Sequence, residues 1–301
     1  MRALPTCVLT ATLSLGSPGL AAQTINYTYD PAGRLVRVEY SGGRSTAYTY
    51  DAAGNLLKRE TTGGAPVLAS VSSASLAAGA PLAPESIAAG FGPGLASEVA
   101  VAPGLPLPVE LAGTRLEVTD SQGTARPAPL FFVSPTQINY LVPAGTALGR
   151  ATVRVTSAAG GTVSGVIEIA RVSPGIYAAN ARGSGVAAAF FLRVAADGSR
   201  SQDLLFNPNT AASVPIDLGP EGDQVFLLLF GTGIRGFTTQ VTATVGGATV
   251  PVLGAVPQGQ FPGQDQINIG PLPRSLAGRG EVEILITADG RRANVVTVSV
   301  R

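Results

Sequence analysis

The sequence has no histidine and no tryptophan, and it holds a single cysteine (Cys7) and a single lysine (Lys58). A Ser-His-Asp or Cys-His catalytic arrangement is therefore closed to it, as is a metal site built on imidazole or paired thiolates. One cysteine forms no intrachain disulfide. Charge is also scarce, at 13% of residues against 45% hydrophobic, a composition that separates the chain from disordered and polyelectrolyte sequences. Twenty Lys plus Arg nearly balance 19 Asp plus Glu, so no basic footprint for nucleic acid is expected. No apolar run reaches ~18 uninterrupted residues, which argues against a membrane-spanning helix.

What is present begins with a leader. Arg2 supplies a short positive region, Val8 to Leu15 an apolar core, and Pro18-Gly19-Leu20-Ala21-Ala22 small residues for cleavage. Residues 1–22 therefore read as a secretory signal peptide. Gln23 stands where a lipoprotein would carry cysteine, so no lipid anchor is expected.

A repeat follows at a spacing of 21 residues, from Tyr27 to Tyr48. Tyr27-Thr28-Tyr29-Asp30-Pro31-Ala32-Gly33-Arg34-Leu35 is matched by Tyr48-Thr49-Tyr50-Asp51-Ala52-Ala53-Gly54-Asn55-Leu56. Each copy sets an alternating strand before an Asp-x-x-Gly turn and a second short strand. The signature resembles the YD repeat of RHS and teneurin-type surface and toxin proteins over residues 25–60. In that family many repeats wind into a β-shell, whereas repeat units generally need about three copies to be stable alone. Two copies make a remnant, a stalk or a small cap. Five of the seven tyrosines lie in this stretch. Tyr27, Tyr29, Tyr48 and Tyr50 are candidate sugar contacts, and equally residues that stack across the strands of their own hairpins.

Past the linker-like Thr61–Pro66 the chain turns rich in Ala, Val, Gly and Pro. Its 38 Gly and 23 Pro punctuate short apolar runs at intervals suited to strands, and long helices would tolerate them poorly. Thr114–Thr119, Leu130–Val133, Gln137–Val142, Ala151–Thr156 and Val163–Ala170 are expected strands. So are Val225–Phe230, Gln240–Val245, Ala248–Leu253, Glu281–Thr287 and Ala293–Val300. Gly246-Gly247 and Asp289-Gly290 are hairpin signals, and Val186–Ala195 with Asp197-Gly198 reads as an inserted hairpin.

Three anchors recur in one order. Phe91-Gly92-Pro93-Gly94-Leu95 corresponds to Phe230-Gly231-Thr232-Gly233-Ile234. Gln137-Ile138-Asn139 corresponds to Gln266-Ile267-Asn268, and the strand from Gly149 to that from Gly280. The expected fold is all-β: two tandem immunoglobulin-like β-sandwiches behind a short YD-repeat hairpin segment. The divisions are 1–22 signal, 23–64 YD repeats, 65–172 first sandwich and 173–301 second. Residues 67–301 also resemble the uncharacterised C-terminal domain of Solibacter-type acidobacterial proteins. That likeness rests on Val71–Ser75, Ala83–Ile87, Phe91–Ala96, Pro129–Asn139 and Pro262-Gly263 with Gln266–Asn268. It implies a secreted or surface location and no particular activity.

Three patterns carry possible chemistry. Gly231-Thr232-Gly233-Ile234-Arg235-Gly236 spells a dinucleotide fingerprint but lacks the helix and the downstream acid that such a site uses. Asp217, Glu221 and Asp223 form the densest acidic cluster, a candidate weak Ca²⁺ site through oxygen ligands and equally an ordinary exposed loop. In each Gln-Ile-Asn triplet, alternation puts both amides (Gln137 and Asn139, Gln266 and Asn268) on one strand face. They are expected to bond nearby loop backbone as structural marks. No cofactor is expected. The function expected is a secreted or cell-surface, non-enzymatic interaction or scaffolding protein, its partner an unknown surface protein or a glycan. The alternative is a carbohydrate-binding module using the tyrosine strands or a sandwich face. A third reading is a polysaccharide-acting enzyme using Asp217 or Asp223.

Overall fold

A computed structural model describes residues 7–13, 23–40, 44–63 and 67–301. The expected signal's Arg2 and its cleavage segment Pro18–Ala22 lie outside them, as do Gly64–Pro66 of the linker. Two units divide at Pro66/Val67.

In the first unit β1 (Cys7–Leu13), β2 (Gln23–Tyr29), β3 (Leu35–Tyr40), β4 (Ser45–Tyr50) and β5 (Leu56–Thr62) form one antiparallel sheet in chain order. The sequence repeat is a structural repeat down to its irregularities. A bulge sets Thr28 opposite Arg37 and Tyr29 opposite Leu35, and another sets Thr49 opposite Lys58 and Tyr50 opposite Leu56. Each Asp-x-x-Gly turn is held by its aspartate. Asp30 accepts from the N–H groups of Ala32 and Arg34, and Asp51 from those of Ala53 and Asn55. An aspartate that bonds its own following backbone is what makes this turn sequence-encoded.

The second unit holds two sandwiches. The strands of the first are β6 (Ala69–Ser72), β7 (Ile87–Phe91), β8 (Ala100–Val101), β9 (Glu110–Leu111), β10 (Thr114–Thr119), β11 (Ala125–Pro127), β12 (Leu130–Val133), β13 (Gln137–Leu141), β14 (Gly149–Thr156) and β15 (Thr162–Ile169). One sheet runs β6-β7-β13-β12-β8 and the other β11-β10-β14-β15, with β9 on β10. The strands of the second are β16 (Gly175–Ile176), β17 (Ala189–Val194), β18 (Arg200–Leu204), β19 (Gln224–Thr232), β20 (Val241–Val245), β21 (Ala248–Val250), β22 (Val252–Pro257), β23 (Asp265–Ile269), β24 (Gly280–Ala288), β25 (Arg291–Arg292) and β26 (Val296–Val300). Here β18-β17-β19-β23-β22 faces a sheet of β21-β20-β24 with β25 and β26 on β24.

The fold is an all-β sandwich fold, and the alternation of apolar residues explains it. Along β15 every second residue from Val163 to Ile169 is buried, and along β24 Val282, Ile284, Ile286 and Ala288 are. Each sandwich closes on its own core. Leu116, Val153 and Ile167 of one sheet meet Leu130, Ile138 and Tyr140 of the other. In the second sandwich Val245, Ile284 and Val298 meet Leu227, Leu229 and Ile267. Val172, expected to close the first sandwich, packs into the second core.

The duplication extends to register. Phe91 sits opposite Gln137 and Ala89 opposite Asn139, while Phe230 sits opposite Gln266 and Leu228 opposite Asn268. The inserted hairpin is β17–β18, added along β19. Gly246-Gly247 and Asp289-Gly290 each close a two-residue turn with both central φ positive, the mirror-image turn that matches strand twist. Two expected strands differ. Ala248–Leu253 is split at Pro251, which has no N–H to give the ladder. Ala293–Val300 begins its strand only at Val296. Asn294 is drawn away by bonds from its amide to the carbonyls of Ile176 and Gly183 and to its oxygen from the Ile176 N–H.

Asp120 organises the turn between β10 and β11 and predicts the acid behaviour of the unit. Its buried carboxylate accepts from the N–H groups of Ala147, Thr124 and Gln122 and from Arg126, and these bonds, Ala147's first, hold its pKa at about 2 against an ordinary 3.8. A carboxyl depressed in the folded state contributes stability that is complete above its unfolded value and is lost as pH falls through the folded one. Asp289, bonded by the N–H and hydroxyl groups of Thr238 and Thr239, acts in the same direction. Near-ultraviolet circular dichroism against pH is expected to show the loss confined below about pH 4. Asp120→Asn should lower stability at neutral pH and flatten the acid limb. A cooperative transition near pH 5 would contradict this.

Candidate functional site

The YD sheet gathers its tyrosines. Tyr27 pairs with Val38, and Val38 pairs with Thr46. Side chains two apart share a strand face, so Tyr27, Tyr29, Tyr40, Tyr48 and Tyr50 all fall on the face that carries Val38 and Thr46. Val38 is buried at its centre and the five rings are half-buried around it. The opposite face is charged, with ion pairs Arg37–Glu39 and Lys58–Glu60. Two rings are tied into the framework. The Tyr50 hydroxyl donates to the Leu35 carbonyl at 2.8 Å, and the Arg34 guanidinium lies 5.1 Å from its centroid. Arg44 lies 4.1 Å from the Tyr40 centroid. Such a face offers what sugar rings and apolar peptide segments both use, flat carbon surface edged with hydroxyls.

The acidic trio is not drawn together. Asp217 accepts from the Gly219 N–H and lies near Arg193 and Arg301, and the Gly219 bond leads the interactions that hold its pKa down. Asp223 accepts from the Ala196 N–H, and Glu221 is exposed. Among the described residues no three acidic or thiol side chains are grouped so as to hold a metal ion.

The Gln-Ile-Asn amides bond each other rather than loop backbone. Gln137 Nε2 donates to Asn139 Oδ1 at 2.9 Å, and Gln266 Nε2 donates to Asn268 Oδ1 at 2.9 Å. The expectation of backbone partners is corrected for a geometric reason. Alternation does put the amides on one face, but it is the half-exposed outer face, where each glutamine reaches the asparagine two residues on. Ile138 and Ile267 point inward and are fully buried.

The glycine motif at 231–236 supplies what sequence reasoning missed. It lies at the seam between the sandwiches, and its glycines admit backbone. A Cβ on Gly233, whose φ is +76°, would overlap the Ser173 carbonyl, and one on Gly236 the Arg171 carbonyl. Thr232, immediately before Gly233, accepts from the Ile87 N–H of the first sandwich at 2.9 Å and donates to the Gly263 carbonyl at 2.7 Å. Asp265, fully buried, accepts from the Ile234 N–H at 2.7 Å, the Arg235 N–H at 3.2 Å and Arg235 Nε at 2.6 Å. Arg235 reaches on to Glu85 of the first sandwich at 3.8 Å. Burial pushes the Asp265 carboxyl up, and these bonds oppose the rise. Tyr177 adds a bond to Ser73 at 2.8 Å. The one legible signal was that Asp265 adjoins a Gln-Ile-Asn triplet whose first-half counterpart has Thr136 there.

Residues 29–66 match the family model of the RHS Repeat. No curated protein sequence matches the chain. Among solved structures, a Bacteroides ovatus mixed-linkage glucan utilization locus protein, SGBP-B, in complex with a mixed-linkage heptasaccharide, aligns over 98% of this chain at 10% identity, with a TM-score of 0.30. The alignment spans 61% of that protein's length. No helix among the described residues is long and apolar enough to cross a membrane.

Proposed function

We propose that the chain is a secreted or cell-surface, non-enzymatic interaction protein of bacterial type, made of a YD-repeat sheet and a unit of two joined sandwiches. The observation that carries this is the seam. Thr232 and Arg235, among the most chemically suggestive side chains in the second unit, are spent on contacts to Ile87 and Glu85 of the first sandwich, and Asp265 is spent on holding Arg235 in place. The strand order in both halves supports an immunoglobulin-like identity. With β6, β7, β10, β11, β12, β13, β14 and β15 lettered A, B, C, C′, D, E, F and G, the sheets read A-B-E-D and C′-C-F-G. The marks shared with the Solibacter-type domain and the leader-like residues 1–22 support an extracellular location. For the non-enzymatic part, the separate engagements of Asp217 and Asp223 weigh against a carboxylate pair. Cell fractionation with pull-down by the processed chain tests the reading. Recovery of the chain only from the cytoplasm would sink it.

A second reading, glycan binding, is favoured by the gathering of five tyrosines on one face. Tyr27→Ala and Tyr48→Ala, whose rings are not the framework-bonded ones, should each weaken retention on a glycan column about tenfold, near 1.4 kcal/mol. Tyr50→Ala is a poor probe, because it also removes the bond to Leu35. If the unaltered protein is not retained on any polysaccharide tried, the glycan reading ends and the protein-partner reading stands.

A further inference from the structure

The repeat geometry makes the two outer edges of the YD sheet complementary. Within the chain, the first repeat (β2–β3) is joined to the second (β4–β5) through β3 and β4, with Arg37 opposite Ala47, Val38 opposite Thr46 and Glu39 opposite Ser45. Moving every residue along by one 21-residue repeat turns β3 into β5 and β4 into the β2 of another copy. That junction would place Lys58 opposite Asn26, Arg59 opposite Ile25 and Glu60 opposite Thr24. β5 is exposed at every residue and pairs only with β4 among the described residues. β2 is covered by β1 along its whole length, Cys7 opposite Tyr29 through Leu13 opposite Gln23. β1 lies inside the segment read as the signal peptide. Its removal uncovers β2.

We infer that leader cleavage exposes the β2 edge, and that the processed protein associates with further copies of itself by adding β2 of one copy to β5 of the next. The inference rests on the proposed secretion. The junction it describes continues one the chain already makes. Charge on β5 does not forbid it, although charged edges usually resist pairing. β3 carries the same pattern, with Arg37–Glu39 at 2.8 Å matching Lys58–Glu60 at 2.6 Å, and β3 is paired on both sides. The ties across the existing junction also have counterparts. Tyr50 donates to the Leu35 carbonyl across the repeat boundary, and one repeat earlier Tyr29 would donate to the Leu56 carbonyl of a neighbouring copy. Where Val38 stands on the tyrosine face, Arg59 would stand beside the Tyr27 ring of that copy, as Arg34 and Arg44 lie against Tyr50 and Tyr40. Two repeats are fewer than such units need for mutual support, and addition between copies supplies the neighbours. Joining unlike edges is heterologous, so the association runs open-ended unless it closes into a ring.

The backbone phase at the edge selects the test. Tyr40 N–H bonds the Arg44 carbonyl, and hydrogen-bonded pairs in an antiparallel ladder recur at every second residue. Val38 therefore directs its N–H toward β4, and Arg59, one repeat later, directs its N–H to the free edge. Arg59→Pro removes that donor and leaves the β4 ladder intact. Tyr29→Phe removes one hydroxyl and no backbone group.

The experiment is sedimentation velocity on the chain exported and processed by a secreting host, its N-terminus read by sequencing, beside the uncleaved full chain. A processed chain beginning at Gln23 should show a concentration-dependent series of dimer, trimer and larger species. The uncleaved chain should remain monomeric. Arg59→Pro should weaken association about tenfold or more, and Tyr29→Phe several-fold. A chain beginning at Gln23 that stays monomeric into the high micromolar range overturns the edge inference alone. So does association that both variants leave unchanged. Recovery of the exported chain with β1 still attached overturns the leader reading, and with it the inference.

Discussion

Asp265→Ala is expected to destabilise the sandwich unit by about 3–5 kcal/mol, the cost of removing one member of a buried ion pair. The carboxylate is fully buried and serves three donors: the N–H groups of Ile234 and Arg235 and the Arg235 side chain. Truncation leaves two backbone donors and a largely buried guanidinium without their partner, and an unmatched buried group bears its full desolvation cost. Asp265→Asn, which keeps an acceptor and loses the charge, should fall between wild type and alanine. Glu85→Ala is the contrasting control. Its side chain is half exposed and stands 3.8 Å from Arg235, so its loss should cost less than about 1 kcal/mol. Urea unfolding with a fixed slope reads all three differences. A loss below 1 kcal/mol for Asp265→Ala would remove this carboxylate from its place at the seam.

The second large effect separates the parts of the repeated triplet. Ile138→Ala and Ile267→Ala should each cost about 2–5 kcal/mol, the range for truncating a fully buried aliphatic side chain and leaving a cavity. Both side chains are completely enclosed. Asn139→Ala and Asn268→Ala should cost about 0.5–1.5 kcal/mol, the net worth of one ordinary hydrogen bond, because each amide is half exposed and the freed glutamine can turn to water. The triplet then derives its weight from its middle residue. Equal costs for isoleucine and asparagine would mean that the amide pair holds something beyond its own strand.

Much of the fold was legible because its signals are local. Thr114–Thr119 and Leu130–Val133 match their strands end to end, since alternation and bounding turn residues act within a few positions of one another. Gly246-Gly247 and Asp289-Gly290 closed the turns expected of them. The second strand of the latter hairpin was misjudged because Asn294 bonds Ile176 and Gly183, more than a hundred residues away. The candidate sites were less legible. The tyrosines could be counted in the sequence, but their placement on one face depends on register across three strands. The acidic trio looked clustered because its members are close in sequence, but Asp217 and Asp223 accept from different backbone N–H groups and Glu221 is exposed.

By itself the sequence determined the all-β class, the two-copy plan of the sandwiches, the YD repeat and its Asp-x-x-Gly turns. Each of these is written in periods of two or 21 residues and in turn chemistry that a short segment carries alone. Only the tertiary structure decided what the Gly231–Gly236 motif contacts, why Asp265 is buried and that β5 pairs on one side only among the described residues. Those outcomes depend on the close approach of backbone from Arg171, Ser173 and Ile87, and on which strand happens to come last. No local pattern encodes a neighbour that the chain reaches only by folding back on itself.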